Sequence, residues 1–358
     1  MYSSSVFLIV RNAILFLLSF GVAISAAPFL IAFLYAHKTW KKKPREETFG
    51  GAKTPIFTKL HAEKEISTPR MGGILIWGTV SIVTAIGFVG AKLFPGSFFA
   101  QLNFVSRSET WLPIFTLLAA SLLGLFEDIL IVQERGPTQT GGGMRFKVRL
   151  AMIFLIALVG AWWFYFKLEW HSIYVPFHGN VEIGWLYLLL FVVVTVATYS
   201  TSVVDGLDGL SAGVLAPIFL AFGVIAYTKG LYDLVSFIVV LAGALLTYLW
   251  FNVHPAKFYM GETGIMGLTV TLAVIAFLTN TVLLLPIIAF VLVVESASVI
   301  IQLFARKFFH RKIFLSSPIH HHFQAQGSPE SQITMRFWIL SAVASVVGVV
   351  IFFFARFF

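Results

Sequence analysis

None of the 358 residues is a cysteine, which excludes disulfides, thiolate catalysis and cysteine-ligated zinc together. Charge is scarce as well. Only 11% of the residues are Asp, Glu, Lys or Arg, less than half of the roughly 25% found in soluble domains, while 58% are hydrophobic. A soluble fold cannot hide that much apolar surface. No basic stretch leads into a short apolar run at the N-terminus and no small-residue cleavage site follows, so no removable signal peptide is expected. Internal repeats and low-complexity tracts are not visible, and neither are the two matching halves of an inverted-repeat transporter.

What the chain has instead is a succession of apolar runs, most near the length of about 20 residues that a membrane-spanning helix needs. Bounded by polar, Gly or Pro clusters, they predict an all-α, polytopic membrane protein forming a single domain over 1–358. Ten spans are expected, at roughly 12–36, 71–91, 111–130, 148–167, 183–204, 209–227, 231–251, 264–279, 281–304 and 333–355. Threading them puts both termini on one side and gathers the 25 Lys and Arg residues on the opposite face, with the exception of Arg11, Lys92, Arg107, Lys167, Lys229 and Arg356. By the positive-inside rule that face is cytoplasmic and both termini lie outside. The net charge of +9, including the run Lys41 to Lys43, is then topogenic charge at a headgroup surface and not a nucleic-acid footprint.

The same threading collects the unusual polar clusters on the cytoplasmic face. Ser67-Thr68-Pro69-Arg70-Met71-Gly72-Gly73 leads into the second span, and Glu127 and Asp128 close the third. Asp205-Gly206-Leu207-Asp208-Gly209 joins the fifth to the sixth, Asn252 through Gly264 joins the seventh to the eighth, and His320-His321-His322 lies between the ninth and tenth. Acidic residues in or beside membrane helices are costly to desolvate and mark function by default. If helical, the segment holding Asp205 and Asp208 places them on one face, and their neighbouring glycines let a ligand approach the backbone. With Asp128 and Glu262 they form an oxygen-rich group suited to Mg²⁺, a hard cation that shares its ligands with substrate phosphates. The three histidines, read as extended chain, point to alternate faces and do not form a tetrahedral metal site; contact with phosphate is expected instead. Glu295, within the ninth span, either pairs with a Lys or Arg or settles a bend.

These residues bear a family resemblance. Ser317-Pro318-Ile319-His320-His321-His322-Phe323, followed by Met335-Arg336-Phe337-Trp338, resembles the signature of the phospho-N-acetylmuramoyl-pentapeptide transferase family. The Asp205 to Gly209 turn, Asn252 with Pro255-Ala256-Lys257, and Met260-Gly261-Glu262-Thr263-Gly264 resemble its other cytoplasmic motifs in the same order. The resemblance runs from about residue 37 to 355, and the triple-histidine segment is its most specific part.

The resemblance implies a Mg²⁺-dependent enzyme of the bacterial plasma membrane, working on its cytoplasmic face and often found as a homodimer. It would move a phosphosugar-peptide from a UDP carrier to undecaprenyl phosphate in peptidoglycan synthesis, and no nucleic acid is expected as partner. By position, Glu127 and Asp128 stand at the family's Asp pair, and Asp205 and Glu262 at its metal-proximal acids. Asp208 stands near the nucleoside and Tyr259 where an aromatic ring stacks on uracil. Asn252, Ser202 and Lys257 belong with the substrate contacts, and His320, His321 and His322 with the sugar-phosphate or pyrophosphate.

Several positions depart from the family pattern. Glu127 and Glu262 are each one methylene longer than the usual Asp, Ser202 stands where Asn is usual and Ile131 where Lys is common. Arg70 replaces a Thr, as in the related transferases that load GlcNAc-phosphate, and Lys64 is one residue out of register. Three rivals follow: that GlcNAc-phosphate transferase, a lipid transporter or flippase, and an inactive homologue.

Overall fold

The computed structural model describes residues 2–42, 66–136 and 143–356; Lys43, Arg45, Lys53, Lys59 and Lys64 lie outside the described residues. The helices are α1 (Tyr2–Ala36), α2 (Ile74–Leu93), α3 (Trp111–Val132), α4 (Phe146–Trp162), α5 (Leu186–Ser200), α6 (Leu210–Thr228), α7 (Tyr232–Asn252), α8 (Glu262–Leu278), α9 (Phe290–Phe309), α10 (Ile319–Ala325) and α11 (Glu330–Phe354). Between α4 and α5 lies an antiparallel hairpin, β1 (Ser172–Val175) and β2 (Gly179–Glu182), with Ser172 opposite Glu182.

All ten apolar runs are helical, as an all-α polytopic membrane protein requires. Among the described residues eight helices are long and apolar enough to cross a membrane, or nine when Val282–Ile288 and α9, bent by 82° at Ala289, count as one. The eighth run, α8, has only 17 residues, about 25 Å at 1.5 Å per residue. Apolar length alone does not reveal a bend or a shortened helix. The outer surface carries exposed Phe29, Leu155, Trp250, Ile339 and Val346, the opposite of what water selects and what lipid tails accept.

The short α8 is the axis of the bundle, with every residue from Thr263 to Leu278 buried. Small residues let its neighbours approach, as is usual where lipid supplies no hydrophobic drive between helices. A Cβ at Gly124 of α3 would overlap the backbone of Glu262 and Thr263, and one at Gly73 would overlap Gly264. The hydroxyl of Thr263 donates to the Ser121 carbonyl at 3.0 Å and accepts from the Trp77 indole at 3.1 Å, which fixes the rotation of α8 against α2 and α3. Because the overlap at Gly124 is with backbone, Gly124→Ala is expected to cost about 1–3 kcal/mol. The midpoint of thermal unfolding in detergent should fall accordingly, while Gly78→Ala, where a Cβ meets open space, should leave it unchanged.

Two backbone strands at one end of the bundle link distant parts of the chain. The Tyr259 N–H donates to the Pro69 carbonyl (2.8 Å), and the Gly72 and Gly73 N–H groups donate to Tyr259 and Met260 (both 2.8 Å). The Ser67 to Gly73 segment is thereby stitched to the loop ahead of α8. At the far end of α3, Arg11 pairs with Asp233 at 3.0 Å, and Glu109 accepts the Asp233 and Leu234 N–H groups, capping α7.

Candidate active site

The stitched end of the bundle holds an acidic group whose members come from three parts of the chain. Asp128, at the end of α3 and fully buried, accepts from Arg70 Nε at 3.2 Å and from the Thr263 N–H at 3.0 Å. Glu127 accepts the Met144 N–H at 2.7 Å, and Arg149, on the first turn of α4, lies 3.4 Å from both Glu127 and Glu262. Asp205 follows the short 3-10 turn Thr201–Val204, accepts from the Ser211 hydroxyl at 2.9 Å, and lies within electrostatic reach of Arg70, Glu262 and Asp128. Burial pushes the Asp205 carboxyl up to about 6, against the lowering effects of Ser211 and Arg70. Burial also works against the charge of Arg70, but Asp128, Glu262 and Asp205 more than compensate and hold it above the ordinary guanidinium value.

Among the described residues of this group four carboxylates face two guanidinium groups, so two acids are in excess. Oxygen donors in that excess fit one divalent hard cation. Asp205 and Glu262 could hold it, since Asp128 and Glu127 already accept backbone amides. A second cluster sits beside it: Asp208, Glu330 and His254 each offer an atom within 4.8 Å of the others. Its atoms already serve one another, with His254 Nδ1 2.8 Å from Asp208, the Ala256 N–H donating to the same oxygen, and the Asp208 N–H donating to Glu330.

Other expected residues divide between presentation and bracing. The Asp205 to Gly209 segment is a turn, not a helix, so Asp205 and Asp208 do not share a face; Gly209, at φ 76°, starts α6. Asn252 is buried and braces this turn, accepting the Gly209 N–H (3.0 Å) and donating to the Phe258 carbonyl (2.8 Å). Thr334 and Trp338 of α11 donate to the carbonyls of Asp208 and Gly209. Ser202 and Tyr259 are half-buried at the rim, and Lys257 is exposed.

The three histidines are not extended. Following Pro318 they form α10, because a proline at the N-cap costs no intrahelical hydrogen bond and the chain closes a turn behind it. His320 and His321 turn inward and are buried, and a Cβ at Gly206 would overlap Nε2 of His320 and come within 3.3 Å of Nε2 of His321. His322 turns away and accepts the Leu315 N–H. Among the described residues Glu295 pairs with neither Lys nor Arg: its Oε2 lies 2.8 Å from His320 Nδ1.

Arg149, His254 and Glu330 were missed as site residues. Arg149 carried a usable signal, since a cation placed inside the start of an apolar helix demands an acidic partner. Nothing local marks the other two.

Comparison with known proteins identifies the family. The sequence model of the family described as "Glycosyl transferase family 4" matches residues 110–280, which carry the Glu127–Asp128, Asp205–Asp208 and Glu262 elements. The chain is 32% identical over 339 residues, 93% of its length and 95% of the relative's, to the phospho-N-acetylmuramoyl-pentapeptide-transferase of Anoxybacillus flavithermus. The protein of that name from Bacillus velezensis is 33% identical, covering 95% of this chain and 98% of its own. That from Moorella thermoacetica is 35% identical over 78% of this chain and 83% of its own. With identity at this level along nearly the whole chain, and the acidic and histidine elements converging at one end of a membrane-helix bundle, the chain belongs to the phospho-N-acetylmuramoyl-pentapeptide transferase family.

Proposed function

We propose that the protein transfers phospho-N-acetylmuramoyl-pentapeptide from its UDP carrier to undecaprenyl phosphate, giving lipid I and UMP, with Mg²⁺ as cofactor, on the cytoplasmic face of a bacterial inner membrane. The observation that carries this reading is the acidic group with its two acids in excess, set against Arg70 and two inward histidines at one end of the bundle. A water-soluble nucleotide and a tail-anchored phosphate can meet only at such an interface. Residues 1–358 act as one domain with both termini outside, and a homodimer is expected.

Phosphoryl transfer needs positioning and charge neutralisation more than covalent chemistry from the protein. An oxygen of the lipid phosphate bonds to the sugar-linked phosphorus of the UDP-sugar while the bond from that phosphorus to the UMP oxygen breaks, and UMP leaves with the electron pair. Bound Mg²⁺ would neutralise charge on the pyrophosphate. Asp205 and Glu262 would hold it, and Asp128 keeps Arg70 and the Thr263 amide in place. Glu127 tethers the Met144 loop and Arg149, so its longer side chain serves the frame of the site. His320 and His321 face the phosphates, Asp208 stands towards the nucleoside with Tyr259 stacking on the base, and Ser202 and Lys257 line the approach.

Arg70, in place of the family's Thr, favours a second reading in which the sugar is GlcNAc-phosphate. UMP release by the detergent-purified protein, with undecaprenyl phosphate and Mg²⁺, separates them. Release from UDP-MurNAc-pentapeptide and not from UDP-GlcNAc is the expected result. Release from UDP-GlcNAc alone moves the chain to the sister activity, and release from neither by a folded protein sinks both.

A further inference from the structure

Glu295 is an ionisable side chain within an apolar helix, and neither Arg70 nor Arg149 answers it. Together with His320 it is wholly removed from solvent, both side chains 0% exposed, Oε2 to Nδ1 at 2.8 Å. A carboxylate within a membrane-spanning segment is costly enough to require a specific use. Its surroundings define that use. The backbone N–H groups of Ile319 and His320 also act on this carboxylate, which makes it the natural acceptor for a proton on the nearest ring nitrogen, Nδ1. The opposite ring nitrogen, Nε2, abuts Gly206, the residue after Asp205, so closely that a Cβ there would overlap it. His321 packs edge-on against the ring, centroids 4.1 Å apart, and limits its rotation.

We propose that Glu295 is a positioning residue for the transfer reaction: by accepting the Nδ1 proton it holds His320 in the tautomer whose Nε2 lone pair faces the Asp205–Gly206 turn. The inference rests on the function proposed above for the reaction it serves, though not for the tautomer it fixes. A second group that fixes ring orientation and protonation is the common partner of a working imidazole. The pair is carried on α9 and α10, so the short helix exists to bring one nitrogen to the turn and one to the acid. Gly206 has no side chain because the imidazole fills that space.

The isosteric change Glu295→Gln tests it. The carbonyl of Gln is drawn to the Ile319 and His320 N–H groups, which leaves its NH₂ directed at Nδ1, and the proton of His320 then moves to Nε2. In ¹⁵N-histidine spectra of the full-length protein in detergent, assigned with His320→Asn, the wild type should carry the proton on Nδ1 and the Gln variant on Nε2. UMP release should lose about a hundredfold in kcat, the size of a misplaced acid–base group, with KM for both substrates within about twofold. Glu295→Asp, which keeps the charge, should recover much of the loss and the Nδ1 proton. A wild-type ring protonated on Nε2, or a Gln variant with full kcat, overturns the proposal. So does a loss that appears in KM and melting temperature alone and is no better in Asp, because that is the signature of a helix anchor. Should the wild type release no UMP from either UDP-sugar, the function reading fails separately, and the tautomer still decides whether Glu295 orients the ring.

Discussion

Asp205→Asn is expected to lower kcat for UMP release by about three orders of magnitude, equivalent to about 4 kcal/mol of transition-state stabilisation. The substitution keeps the size of the side chain and the hydrogen bond from Ser211, so melting behaviour should change little. What it removes is one of the two carboxylates proposed to hold Mg²⁺ against the pyrophosphate. Higher Mg²⁺ should not rescue it, since an amide oxygen offers no charge to the cation. The wild type adds a second expectation. Burial places the Asp205 carboxyl at about 6, and protonation competes with metal. The Mg²⁺ concentration needed for half-maximal rate should therefore rise as pH falls through 6 and level off above it. A variant with more than a tenth of wild-type kcat would remove Asp205 from the metal site.

The largest effect on stability is expected at Arg149. Its guanidinium bridges Glu127, nearly buried, and Glu262, so Arg149→Leu leaves two acids facing each other without a counter-ion. Breaking a buried pair by removing one partner costs about 3–5 kcal/mol, well beyond the net worth of an intact pair. The detergent-solubilised variant should melt at markedly lower temperature, and the double change Arg149→Leu with Glu127→Gln should recover a large part of the loss. Additive losses in the double variant would mean that the two side chains do not interact. Lys in place of Arg should restore less than the double change, because an ammonium group cannot span two carboxylates with a planar fork.

The parts of this molecule written in local pattern were readable. Apolar runs located every helix from α1 to α9 and α11, and the Asp205-Gly206-Leu207-Asp208-Gly209 turn stood out because its acids and glycines oppose the lipid environment. The bend before α9 left no mark in hydropathy, and the hairpin β1–β2 lay unnoticed in a connection too short and mixed to show alternation. The histidine run was misread as extended because three identical residues carry no periodicity; a helix there depends on packing of His320 against Gly206 and Glu295. Pairings such as Arg149 with Glu262, 113 residues apart, and Asn252 with Gly209 exist only after the chain has folded. Sequence thus disclosed which residues carry charge and which bend the chain, while the division between residues that present themselves to ligand and those that brace them came from the geometry.

The ladder joining Gly72 and Gly73 to Tyr259 and Met260 also fixes when in the life of a nascent chain the site can come into being. Ribosomes add about 5–20 residues per second, so the interval of about 190 residues between the two halves of the ladder lasts on the order of 10–40 s. During that time α1 to α7 can already sit in the bilayer, yet the segment that carries Arg70 lacks its partner Tyr259 and Met260 backbone and Asp128 lacks its partner amide on Thr263. A chain released early would therefore be an inserted bundle without chemistry. Synthesis through the start of α8 is a precondition for turnover, and a product stalled before it lacks the ladder that sets the site.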